Sequence, residues 1–155
     1  ANISCEGEIG FVGYQNGDLS KGTDPKEAKR FALDTGIDAM AISCGNVHLQ
    51  ENKTGNLDVK IVKEIEKVTD LPLVIHGGSG VPVDQRKSLA RNTNICKFNI
   101  GTELRMVFGH ALRKAVNNDA TRFDRVQIME ETINSVYDAT IAVLKGFGRP
   151  NDPPS

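Results

Sequence analysis

Two patterns of apolar residues alternate along this chain. Residues 3–9 alternate loosely and end at Gly10, which predicts a strand; Gly13, Gly17 and Gly22 then stretch the next residues into a mobile loop. In Thr23-Asp24-Pro25-Lys26-Glu27 a capping residue precedes a proline in the first turn, and Gly36 follows Thr35. A helix is predicted between them, with Ala28, Phe31 and Ala32 on its buried face. Residues 37–43 (IDAMAIS) form a short apolar run with one charge, the pattern of a strand buried on both sides. After a loop over 44–56 the unit recurs. Val59, Ile61, Val62, Ile65 and Val68 fall at helical spacing within 58–69, and 71–75 (LPLVI) is a second continuous apolar strand. A tight glycine loop, 76–81 (HGGSGV), leads to Pro82, where a helix begins and runs to about residue 92. A fourth strand follows at 95–100 (ICKFNI), then helices over about 103–116 and 126–144, and a proline-rich tail, 149–155, expected to be disordered.

Regular alternation of strand and helix implies right-handed crossovers and a parallel sheet with helices over its faces. Four such units make either a small open sheet or half of an eight-stranded barrel. Periodicity does not choose between them. In both, ligands bind at the carboxyl ends of the strands. Half a barrel also leaves two sheet edges and the inner faces of 37–43 and 71–75 uncovered, so the chain is expected to form a homo-oligomer or to join a missing half.

With 155 residues the chain has room for one domain, over residues 1–148, with a sizeable core. Lys and Arg number 19 against 20 Asp and Glu, and a net charge of -1 gives no footprint for nucleic acid or an acidic membrane. Cys5, Cys44 and Cys96 are odd in number and far apart, which fits reduced thiols in a cytoplasm. No apolar run approaches the roughly 20 residues that span a bilayer, and no signal-peptide pattern opens the chain. The chain opens at Ala1, and from residue 3 it reads like the interior of a fold. The expectation is a piece of something longer.

The unusual polar residues gather where the strands end. His48 lies in the loop after IDAMAIS and His76 ends LPLVI; two imidazoles at one edge of neighbouring parallel strands could ligate zinc or a related divalent ion, or could be hydrogen-bonded polar residues at strand ends. Gly77, Gly78, Ser79 and Gly80 follow His76, and Asn99-Ile100-Gly101-Thr102 follows the next strand at a helix start. Two adjacent loops of this kind make a phosphate cradle, or else the glycines only shape turns. An esterase reading needs a G-x-S-x-G elbow, which Gly77-Gly78-Ser79-Gly80-Val81 fails at its fifth place. Lys97 could form a Schiff base as a buried amine or be structural, its head near a carboxylate. His110 fits no constellation and reads as a surface or packing histidine.

Glu6-Gly7-Glu8-Ile9-Gly10, Thr23-Asp24-Pro25-x-Glu27-Ala28, the turn Thr35-Gly36-Ile37-Asp38, His48, Pro72-Leu73-Val74-Ile75-His76-Gly77-Gly78-Ser79-Gly80 and Lys97-Phe98-Asn99-Ile100-Gly101-Thr102-Glu103-Leu104-Arg105 resemble the class II, metal-dependent fructose- and tagatose-bisphosphate aldolases. The match runs in order over nearly the whole chain and covers the carboxyl-terminal half of that family's barrel. The resemblance implies an α/β fold of the (β/α)8 TIM-barrel type, with this chain supplying about the last four β/α units. It also implies zinc-dependent cleavage of a ketose bisphosphate into dihydroxyacetone phosphate and an aldehyde, usually by dimers or tetramers.

Carried across by motif, His48 and His76 resemble two of three zinc histidines, and Glu8 the carboxylate near the metal. Gly77, Gly78, Ser79, Gly101 and Thr102 resemble the phosphate loops, and Asn99 the amide at the carbonyl end. The chain departs from the family in several places. The family's Asp-His pair lies in the other half, Asn16 stands where the family has a proton-moving glutamate, Asp18 is shifted by two residues, and Leu49 replaces a common glycine. The expectation is a half-barrel inactive on its own; the alternative is a noncatalytic phosphate-binding half-barrel that acts through assembly.

Overall fold

The structure is a computed structural model. It describes residues 3–11, 13–14, 22–45, 47–48 and 55–148, the side chains at 13, 14, 47 and 48 apart. Asn16, Asp18, Leu49 and the tail 149–155 lie outside the described residues.

The predicted alternation is present. In chain order the elements are β1 (Glu6–Ile9), β2 (Gly13–Tyr14), α1 (Pro25–Thr35), β3 (Ala39–Ile42), β4 (Val47–His48), α2 (Val59–Glu66), β5 (Leu73–Ile75), α3 (Val83–Asn92), β6 (Ile95–Phe98), α4 (Thr102–Asn118) and α5 (Arg125–Gly146), with a 3-10 turn at Gly78–Gly80. Local chemistry sets the helix ends. The Asp24 carboxylate accepts from the N–H groups of Lys26 and Glu27 at the start of α1, and Gly36 closes that helix in the left-handed conformation at φ 62°. Asp58 caps α2 in the same way through the Lys60 N–H.

β1, β3, β5 and β6 form one parallel sheet in that order, the strand neighbours expected of a βα half-barrel. The strands are shorter than the apolar runs, because Ile37 and Leu71 pack against the core ahead of their ladders. Met40, Ile42, Leu73 and Ile75 face the helices and share a buried cluster with Ala28, Val62, Ile65 and Leu89. At β6 the register slips. Leu73 pairs with Ile95, but Val74 pairs with Lys97 and Ile75 with Phe98. Cys96 is thus one extra residue, a bulge that leaves Ile95 and Phe98 both on the helix side and turns Lys97 onto the inner face.

The inner face departs from expectation. It is not bare, since Ala41 is 1% exposed and Val74 0%. In register these two lie in a row between Glu8 of β1 and Lys97 of β6, and Glu6 of β1 bonds Lys97 across them. A second sheet that the apolar pattern does not predict pairs β2 with β4 in parallel, Gly13 opposite Val47 and Tyr14 opposite His48. No helix among the described residues is long and apolar enough to cross a membrane.

Candidate active site

Period-two alternation in β1 puts Glu6 and Glu8 on the inner face together, and His76 reaches them from the carboxyl end of β5. The imidazole lies between the two carboxylates, with Nε2 3.3 Å from Glu6 Oε1 and Nδ1 3.5 Å from Glu8 Oε2. Glu6 also accepts a 2.7 Å hydrogen bond from Lys97 Nζ. That bond, more than the neighbouring imidazole, holds the Glu6 carboxyl below the ordinary carboxylate range against the opposing effect of burial. The Lys97 side chain is half-exposed, so its setting is that of a lysine held by a carboxylate rather than of a buried amine.

The two glycine loops are fastened to one another. Gly77 sits at φ 66°, which a side chain would strain, and the 3-10 turn follows it. The Gly78 N–H donates to the Asn99 carbonyl at 3.1 Å, and a Cβ at Gly78 would meet Ile100 Cδ1 at 2.9 Å. A side chain there would push the end of the Ile100 side chain aside. Ser79, nearly buried, accepts through its hydroxyl from the N–H groups of both Gly101 and Glu103 at 3.2 Å. It thereby caps α4, whose own N-cap, Gly101, has no side chain to do so. The Thr102 N–H between those two has no hydrogen-bond partner among the described residues. The outcome is the positive end of a 17-residue helix, held against a glycine loop directly after His76.

The structure thus brings together Glu8 and His76, and it fastens the Gly77–Ser79 loop, which follows His76 in the chain, to the segment carrying Asn99, Gly101 and Thr102. Only the backbone of His48 is described, in β4. Among the described residues no group of three His, Cys, Asp or Glu side chains is placed to hold a metal ion. The donors present are nonetheless of a suitable kind: the imidazole stands at a strand end between two carboxylates, and with one of them orienting the ring the other nitrogen could take a metal in place of its carboxylate contact. His110 is exposed on α4, where with Thr102, Arg105, Met106, Gly109 and Arg113 it lines a groove of about 380 Å³. Sequence reasoning passed over Glu6, although alternation with Glu8 placed it on the same face. It also passed over Arg86 of α3, buried against Glu103 of α4, for which no local pattern gave a signal.

Comparison with known proteins places the chain in a family. The family model described as "Fructose-bisphosphate aldolase class-II" matches residues 1–152. A 6-phospho-5-dehydro-2-deoxy-D-gluconate aldolase of Bacillus licheniformis is 34% identical over 152 residues, covering 95% of this chain and 51% of that protein. A fructose-bisphosphate aldolase of Staphylococcus aureus is 34% identical over 154 residues, covering 96% and 53%. Among solved structures, the YdjI aldolase of Escherichia coli K12 superposes with a TM-score of 0.71 at 28% identity, over 96% of this chain and 50% of that one. The fructose-bisphosphate aldolase of Campylobacter jejuni shares the fold, with a TM-score of 0.70 at 19% identity over 94% and 51%. The chain spans about half the length of the curated relatives it matches. It belongs to the class II fructose-bisphosphate aldolase family, and its four-stranded parallel sheet is the carboxyl-terminal half of that family's (β/α)8 barrel.

Proposed function

We propose that this chain is the phosphate-binding and part of the metal-binding half of an aldolase that cleaves a ketose bisphosphate, such as fructose or tagatose bisphosphate, into dihydroxyacetone phosphate and an aldehyde phosphate. The observation that carries the reading is the pair of glycine loops fastened through Ser79 at the start of α4, immediately after His76. In this reading the loops carrying Gly77, Gly78, Ser79, Gly101 and Thr102 receive the substrate phosphate at a helix N-terminus, where the Thr102 N–H is not engaged by the bonds that fasten the loops together. Asn99, at the end of β6, offers its side-chain amide to the carbonyl and hydroxyl end of the ketone. His48 and His76 would hold zinc or another divalent cation, and Glu8 orients the His76 ring through Nδ1. Bound there, such a cation supplies Lewis-acid polarisation of the substrate carbonyl. Fixing the phosphate sets the position of the reacting carbons, which is the part of the rate gain that this half contributes.

The family's acid/base aspartate and third metal histidine are not among these residues, so the chain alone is inactive. The edges of β1 and β6, which pair with no further strand among the described residues, are the places at which an amino-terminal half, or a second copy, completes the sheet. The domain is residues 1–148, and the compartment is the cytoplasm. The noncatalytic alternative draws on Asn16 in the place of a family glutamate.

The test is reconstitution. Supplying an amino-terminal half from a class II aldolase, fused or in trans, is expected to give zinc-dependent, chelator-sensitive cleavage of fructose or tagatose bisphosphate that His76→Ala removes. A reconstituted barrel that holds metal yet cleaves no ketose phosphate refutes the aldolase reading and leaves the noncatalytic one.

A further inference from the structure

Arg86 is buried, at 2% exposed, and the phosphate reading does not use it. It stands in α3, and its Nη1 lies 3.3 Å from Glu103 Oε2 in the first turn of α4. Its Cζ lies 5.7 Å from the centroid of Phe147, which in turn packs on Phe98 at 5.2 Å between centroids. A buried guanidinium is costly to desolvate, and apolar side chains of similar volume fill such a space at least as well. Its charge therefore calls for a reason other than packing.

Glu103 supplies that reason. Its own N–H is one of the two that Ser79 accepts, so its carboxylate stands at the helix end where the phosphate is expected. A carboxylate in a first turn complements the helix dipole, and for the same reason it competes with any other anion for that positive end. We propose that Arg86 is a positioning residue that neutralises Glu103, turning its carboxylate into the protein and leaving the N-terminus of α4 open to a phosphate dianion. The proposal rests on the phosphate reading of the Gly77–Ser79 and Gly101–Thr102 loops.

The test uses the 155-residue chain and inorganic phosphate at low ionic strength, followed through the amide signals of Gly101 and Thr102 and by calorimetric titration. Arg86→Met is expected to weaken phosphate about tenfold, because it leaves an uncompensated carboxylate beside the site. Glu103→Gln is expected to tighten it severalfold, the double variant to return near the wild-type affinity whatever its stability, and Arg86→Lys to keep most of the binding. Equal affinities across the series overturn the proposal. If Arg86→Met does not fold, Glu103→Gln decides alone, and unchanged or weakened binding there overturns it. A wild-type chain whose Gly101 and Thr102 signals ignore phosphate defeats the phosphate reading and this proposal together. A responsive wild type with insensitive variants defeats only the role of Arg86.

Discussion

Glu6 Oε2 and Lys97 Nζ are 2.7 Å apart, although β1 and β6, which carry them, are the opposite edges of the sheet. Three strand spacings separate those edges by about 14 Å in a flat sheet, so the contact requires inward curvature as well as two extended side chains. It is a tie across the concave face of a half-barrel, over Ala41 and Val74. Its electrostatics can be read through pH. The Glu6 carboxyl is held below its ordinary value, first by Lys97 and then by His76. A depressed acid stabilises the fold above its unfolded pKa, near 4.5, and that stability is lost as pH falls through the lower folded-state value. With Lys97 half-exposed, solvent screening limits the contribution to about 0.5 kcal/mol. Urea midpoints measured from pH 7 to pH 3 are expected to fall less for Glu6→Gln than for the wild type. Parallel curves would show that the tie carries no charge-dependent stability.

Ser79 fastens two loops through one oxygen, and its removal leaves two N–H groups at the start of α4 without their cap. Ser79→Ala is expected to cost about 1 kcal/mol, the usual worth of an N-cap, with lost amide protection confined to the first turn of α4 and the glycine loop. Hydrogen exchange on the variant checks this. Loss of protection spread evenly over the molecule would mean that Ser79 supports the fold generally rather than this junction.

Much of the architecture was legible because it rests on local signals. Asp24, Asp58 and Gly36 end helices by backbone chemistry that any reader of the sequence can apply, and continuous apolar runs such as LPLVI belong to strands covered on both faces. The slip at Cys96 was not legible, because strict alternation in Ile95-Cys96-Lys97-Phe98 would put Ile95 and Lys97 on one face, and only the pairing with β5 reveals the extra residue. The β2–β4 ladder is two residues long on each side, too short for any periodicity to show. The glycine loops were visible as glycines. Their bonding through Ser79, and the burial of Arg86 against Glu103, depend on residues far apart in sequence and are properties of the fold.

The three cysteines divide by environment. Cys44 is buried, and desolvation, aided by the nearby Asp58 charge, pushes its thiol up to about 12, whereas Cys5 and Cys96 are exposed. The thiolate is the reactive form, so at pH 8 two thiols are expected to react quickly with a disulfide reagent and the third only after denaturant is added. Three fast thiols in the native chain would place Cys44 outside the core.

The metal reading makes a sharper demand, because it assigns different roles to groups that touch one another. If His76 is a ligand and Glu8 orients it, removing the ring removes a donor, while Glu8→Gln keeps the shape and weakens only the orientation. Zinc binding to the chain alone should be weak, since the described residues hold no set of three donors. His76→Ala and His48→Ala are each expected to abolish it, and Glu8→Gln to weaken it about tenfold, the common cost of losing a group that supports a ligand. Glu6 is different, because its stronger engagement is with Lys97 at 2.7 Å rather than with the ring at 3.3 Å. Glu6→Gln should therefore reduce acid stability more than zinc affinity. Calorimetric zinc titrations of these four variants separate the assignments. Tight stoichiometric zinc that survives removal of both histidines would place the metal elsewhere. An equal loss from Glu6→Gln and Glu8→Gln would mean that the two carboxylates hold the ring as a unit, with Lys97 a bystander to both.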